Sequence, residues 1–133
     1  YVCGLSHDEF FATYGKEVLI IHAHPYRDGN EVVYENAVHG SEIFNGNPRH
    51  ENHNEKALKL CQRHPDYYRL AGSDCHRDGD EGRCGILFPH RVKDSFEYKH
   101  MIETMQFRLW FPESPETVEA DEQMRQNTAM RIS

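Results

Sequence analysis

Two pairs of residues carry the strongest chemical signal in the chain. His22 and His24 stand two apart at the end of an apolar run, and Asp74 and His76 stand two apart at the end of another. Residues two apart on a strand share a face, so each pair offers metal-type ligands together. Imidazole combined with carboxylate suits zinc, manganese or iron. Pro25 follows the histidines and Gly72 precedes the aspartate, shaping tight exits that leave room for an ion. The plainer alternative is that polar residues simply cap a sheet. Two pairs at parallel strand ends favour the metal over that alternative.

Other residues near these pairs are less specific. Arg27 lies three residues past His24. Its guanidinium offers paired donors that fit a phosphate, although a lone loop arginine is more often solvated. Asn45 closes the next strand, where it orients a water or a loop, or sets the Asn45-Gly46 turn. Glu42 and His39 lie on that strand with opposite parity, and His39 reads as a structural or surface residue. His50, Asn52 and His53 look ligand-like but sit in the polar stretch 46–53, so solvent exposure is expected. Cys75, His76 and Cys84 lack the CxxC knuckle of a structural zinc site. The charged run Asp78–Glu81 reads as a loop.

The elements that must position these residues follow from local pattern. Ser6 with Glu9 is a capping-box pair, and the spacing predicts a helix over 7–14 with Gly15 as its cap. Val18–Ile21 is an uninterrupted β-branched run, as in strands buried on both faces. A short helix is expected over 31–37, a strand over 38–44 and a helix over 51–63 whose core side is Ala57, Leu58, Leu60 and Cys61. Strands are expected at 67–71, within 84–92 and at 107–111. A helix over 96–105 should turn Phe96, Met101, Ile102 and Met105 inward. Strand–helix–strand alternation with long connections favours parallel βα units. In such sheets chemistry sits at the C-terminal strand ends.

Composition narrows the classes. The 133 residues fit one domain of ordinary size and can bury about 68% of the unfolded surface without staples. A complete (β/α)8 barrel needs about 200 residues or more. Fifteen basic against 22 acidic residues leave a net charge of −7. There is no basic run, which argues against a nucleic-acid partner. No apolar stretch is long enough to span a membrane, and no signal peptide is visible. Four cysteines without a CxxC pair read as reduced thiols of a cytoplasmic protein. Past Pro112 the large apolar residues run out. Residues 112–133 therefore read as an acidic tail or peripheral helix beside a domain over 1–111, with Ser114-Pro115 as a helix start.

Three ordered motifs resemble a known family. Ala23-His24-Pro25 with Arg27 is similar to a motif of PHP-domain proteins, the polymerase and histidinol phosphatase family. Ser41-Glu42-Ile43-Phe44-Asn45-Gly46 resembles the strand that follows it there, and Ala71-Gly72-Ser73-Asp74-Cys75-His76 resembles the closing GSDxH element. The resemblance covers roughly residues 15–110. It implies an incomplete part of a distorted (β/α)7 barrel, the C-terminal half of the domain. It also implies a metal-dependent phosphoesterase that holds two or three divalent ions (zinc, manganese or iron) at strand ends. His24, Asp74 and His76 fall on metal-ligand positions, and Arg27 falls where some members hold substrate phosphate. His22 has no secure counterpart. The partners implied are a small phosphorylated substrate and the missing N-terminal half of the barrel, supplied by a longer chain or by self-association.

Three other readings stand beside this one. A non-catalytic metal-binding or interaction module is motivated by the ligands missing upstream. An amidohydrolase also uses an HxH pair and a late aspartate, but on a much longer barrel than the stretch from His24 to Asp74 allows. The HxH pair also resembles that of cupins, yet Pro25 and the helical content argue against an all-β barrel.

Overall fold

The computed structural model describes residues 4–112. Helix α1 spans His7–Tyr14, as expected. Its capping box is reciprocal: the Glu9 N–H donates to Ser6 Oγ at 3.2 Å, and the Ser6 N–H donates to Glu9 Oε2 at 2.7 Å. Three short parallel strands then form one sheet in the order β1–β2–β3: β1 (Ile21–His22), β2 (Gly40–Asn45) and β3 (Tyr68–Gly72). Helix α2 (Asn54–Arg63) connects β2 to β3. Strands β4 (Gly85–Leu87) and β5 (Arg108–Trp110) form a separate antiparallel pair, with helix α3 (Ser95–Glu103) between them. The expected parallel arrangement therefore holds for the first three strands and is corrected for the last two.

The first strand is shorter than its apolar run. Ile20 accepts from the His39 backbone N–H at 2.8 Å, but its own N–H goes to His39 Nδ1 at 3.0 Å. A side chain thus stands in for the next carbonyl and ends the ladder. His39 is structural, as anticipated, and its ring packs on Phe11.

The helix expected over 31–37 does not form. The segment is held instead by long-range bonds at Glu35. The Glu35 carboxylate takes His64 Nε2 at 2.9 Å and Arg63 Nη2 at 3.2 Å, and its carbonyl accepts from the Tyr67 hydroxyl. Two adjacent valines with restricted side chains add to the local bias against helix.

Helix α2 starts three residues later than its pattern suggested. His53, at its N-cap, is left-handed (φ 48°) and makes no side-chain cap. Asn52 before it is buried and bonds back to the β2 end. The expected core side of Ala57, Leu58, Leu60 and Cys61 is buried, and Leu58, Leu60 and Cys61 pack with Ile43 and Tyr67. Helix α3 adds Ile102 to a second cluster with Leu70 and Phe107, flanked by Met105. Phe96 is 83% exposed rather than inward. At about 100° per residue it lies roughly 140° and 120° round the helix from Met101 and Ile102.

Gly40 is needed where β2 meets β3, because a Cβ there would strike the Tyr68 carbonyl oxygen. The register slips between Glu42 and Phe44, an irregularity that re-aims side chains at the strand end. Cys3 and the helix expected from Ser114-Pro115, with the rest of the acidic tail, lie outside the described residues. Among the described residues no helix is long and apolar enough to cross a membrane.

Candidate functional site

Arg27 is the centre of a polar cluster at the C-terminal ends of the parallel strands. It leaves β1 through a tight turn in which its N–H donates to the His24 carbonyl at 3.1 Å. Its Nε donates to Asn52 Oδ1 at 2.8 Å, and its Nη2 donates to Asn45 Oδ1 at 3.1 Å and pairs with Asp74 Oδ2. The side chains of Arg27 and Asp74 are 13% and 18% exposed, so the pair is partly withdrawn from water. Arg27 is therefore not a solvated loop residue.

Asn45 joins three segments. Its Nδ2 donates to Glu42 Oε2 at 3.0 Å, and its Oδ1 accepts from Arg27 and from the Asn47 N–H at 3.1 Å. Its backbone is bracketed by Asn54, which accepts from the Asn45 N–H at 2.9 Å and donates to its carbonyl at 3.1 Å. Strict alternation would send the side chains at 42 and 45 to opposite faces. The register slip between them lets the two meet.

Burial pushes the Glu42 carboxyl above its ordinary value, against the opposing pull of the Asn45 and His24 hydrogen bonds. At Asp74 burial is the largest single influence and also acts upward. The Arg27 and Asn47 hydrogen bonds, with the charges of Arg27 and His76, together outweigh it and hold the carboxyl below its ordinary value.

Asp74 itself is left-handed (φ 50°). Asn47 Nδ2 donates to its carbonyl and to its Oδ2, each at 3.2 Å. His76 follows on the solvent side with its side chain 67% exposed. Its Nδ1 lies 2.9 Å from the Asp74 carbonyl and 3.4 Å from Asp74 Oδ1. The strand ends at Gly72, so the alternation assumed for Asp74 and His76 no longer applies.

The same correction holds at His24. Strand β1 ends at His22 and His24 is left-handed (φ 33°). Both histidines nevertheless bury an Nδ1 atom with no hydrogen-bond partner. Burial lowers the pKa of His22, which favours a neutral ring.

The donor types fit a divalent ion. His24 has a partnerless ring nitrogen, Asp74 has an oxygen not bonded to Arg27, and His76 adds an accessible imidazole. Among the described residues, however, no three His, Cys, Asp or Glu side chains stand together as a ligand group. What the structure brings together is Arg27, Asn45 and Asp74; His24 joins through its main chain and His76 stands at the edge.

Several participants were not evident from sequence. Asn52 was expected in solvent but is 5% exposed, and Asn47 is 4% exposed. Asp80, expected in a charged loop, is buried and takes Arg49 through two bonds at 2.9 and 2.7 Å. It also accepts the His76 and Arg77 N–H groups at 3.2 and 3.0 Å, fixing the chain just past Asp74. The available signal was asparagine at 45, 47, 52 and 54, a density typical of loops whose backbone is tied by side-chain amides.

Comparison with protein-family models, with curated proteins and with solved structures found no match for this chain.

Proposed function

We propose that this chain is part of a metal-dependent phosphoesterase that hydrolyses a small phosphate ester. The supporting observation is the meeting of Arg27, Asn45 and Asp74, from three separate segments, at the C-terminal ends of a parallel sheet. That is where α/β folds place ligands. On this reading β1–β3 belong to a distorted (β/α)7 barrel of the PHP type. Its N-terminal half comes from a longer chain or from self-association, and the protein works in the cytoplasm.

Divalent zinc, manganese or iron, two or three ions in the whole domain and held in part by His24, Asp74 and His76, would supply Lewis-acid charge and an activated water. Arg27 takes a non-bridging phosphoryl oxygen, because its planar donors match phosphate and its charge offsets charge developing on that oxygen. Asn45 and Asn52 hold the guanidinium at two of its nitrogens, which limits the motion lost on binding. The net charge of −7 favours a small substrate over a polyanionic chain.

A specific observation supports a second reading, a non-catalytic metal-binding or interaction module: Asp74 is already paired with Arg27, and His76 is exposed. Metal content after loading with Mn2+ or Zn2+, measured beside p-nitrophenyl phosphate hydrolysis on the protein that carries both halves of the domain, separates the two. The phosphoesterase retains near-stoichiometric metal and turns over substrate, and the Asp74→Ala, His76→Ala double variant loses both. Retained metal without turnover gives the module. Neither metal nor turnover overturns the phosphoesterase and the metal-binding module alike, and leaves an interaction module.

A further inference from the structure

Glu42 occupies the point where three strand ends meet. Its Oε2 accepts from the His24 backbone N–H at 2.8 Å and from Asn45 Nδ2 at 3.0 Å. Its Oε1 faces β3, where a Cβ on Gly72 would stand 2.7 Å away. The bare α-carbon at position 72 is what leaves room for the carboxylate. His24 adopts a left-handed backbone (φ 33°), which is disfavoured for a residue with a Cβ, and Glu42 accepts its N–H. Asn45, held by Glu42 through Nδ2, presents Oδ1 to Arg27, and Arg27 pairs with Asp74.

We propose that Glu42 is the positioning residue of this rim, fixing the main chain at His24 and, through Asn45, the guanidinium of Arg27. Its importance for phosphate-ester turnover rests on the phosphoesterase reading; the hydrogen-bond geometry does not. The role belongs to the acceptor oxygen. Glutamine, which keeps an oxygen at the same reach, preserves it, and alanine abolishes it.

The signal of the Arg27 Nη2–H that bonds Asn45, in the low-temperature NMR spectrum of the 133-residue chain assigned with Arg27→Lys, reads this directly. Wild type and Glu42→Gln should exchange that proton with water at rates within about twofold of each other. Glu42→Ala should exchange it at least tenfold faster while still melting cooperatively. Wild-type exchange in Glu42→Ala overturns the role. So does Glu42→Gln exchanging as fast as Glu42→Ala, since that assigns the effect to charge. Should Glu42→Ala fail to fold, Glu42→Asp, which withdraws the carboxylate by one methylene, makes the same comparison with the same two outcomes.

Contact with position 72 is tested by a double-mutant cycle. Gly72→Ala should lower the folded-to-unfolded ratio more than tenfold in wild type and less than threefold in Glu42→Ala; equal effects overturn the contact. Hydrolysis of p-nitrophenyl phosphate is scored separately. No turnover by the metal-loaded wild type with both halves of the domain present sinks the phosphoesterase reading alone, and unchanged Arg27 exchange sinks the positioning role alone.

Discussion

Arg27 and Asp74, 47 residues apart in sequence, form a side-chain ion pair across the ends of the parallel strands. The pair joins the turn after β1 to the turn after β3 and spans the β2 end through Asn45 and Asn47. Its energetic weight comes from its surroundings. Each partner has further hydrogen bonds, so removing one leaves the other's donors or acceptors facing protein rather than water.

Asp74→Ala should therefore destabilise the fold by about 2 kcal/mol, in the range for losing a hydrogen bond to a charged group. Arg27→Lys should cost less, about 1 kcal/mol, because the ammonium keeps the charge but not the planar fork that bonds Asn52 and Asn45. Urea denaturation of both variants checks this. An Asp74→Ala midpoint equal to wild type would show the pair to be energetically idle.

Much of the frame was legible in sequence because it rests on local rules. The Ser6–Glu9 box set the α1 boundaries, and helical spacing set the four buried residues of α2. The parts that were not legible depend on contacts between distant residues. The His39 ring shortens β1 by taking the Ile20 N–H, which no pattern within either segment shows. The register slip at β2 brings Glu42 and Asn45 together where alternation separates them. The 46–53 loop is a polar tract in composition, yet its Asn47 and Asn52 are buried ties between strand ends. For the candidate site, residue types singled out Arg27, Asn45 and Asp74, which meet at the rim, but not the buried Asn47 and Asn52 beside them. They did not predict that Asp74 would turn to Arg27, or that His76 would face solvent.

Acid should weaken the protein through Asp74 and Asp80. Both carboxyls sit below their ordinary value of 3.8 in the folded chain. Asp80 is lowered chiefly by Arg49, and Asp74 by Arg27 and Asn47 against the upward effect of burial. A depressed folded pKa means that the unfolded chain binds more protons. The stabilisation is thus present above the unfolded value and is lost as pH falls through the folded values. Glu42 has the opposite sign: its raised pKa favours folding below 4.5 and loses that contribution as pH rises through the folded value. Urea midpoints should fall from pH 4 to pH 2 in wild type. The fall should be shallower in Asp80→Asn, and an unchanged slope would contradict the Arg49 assignment.

Thiol reactivity should divide along burial. Cys75 is exposed, while Cys61 and Cys84 are buried and unpaired. Burial pushes the Cys61 thiol up to about 12 and the Cys84 thiol up to about 11, so neither holds appreciable thiolate, the nucleophilic form, near neutral pH. Iodoacetamide at pH 8 followed by peptide mapping should show Cys75 alkylated, with Cys61 and Cys84 protected until denaturant is added. Native alkylation of Cys61 as fast as Cys75 would mean that α2 does not pack as described.

Core and surface positions on the two later helices should differ sharply in cost. Leu60 and Ile102 are fully buried, whereas Phe96 is 83% exposed. Leu60→Ala or Ile102→Ala removes packed methyl groups and leaves a cavity, costing about 2–5 kcal/mol. Phe96→Ser removes little buried surface and should stay within about 0.5 kcal/mol of wild type. The comparison also tests the orientation of α3, because a helix turned to bury Phe96 would reverse the order of Phe96→Ser and Ile102→Ala. Thermal melts of the three variants decide it: Ile102→Ala should melt well below wild type and Phe96→Ser close to it.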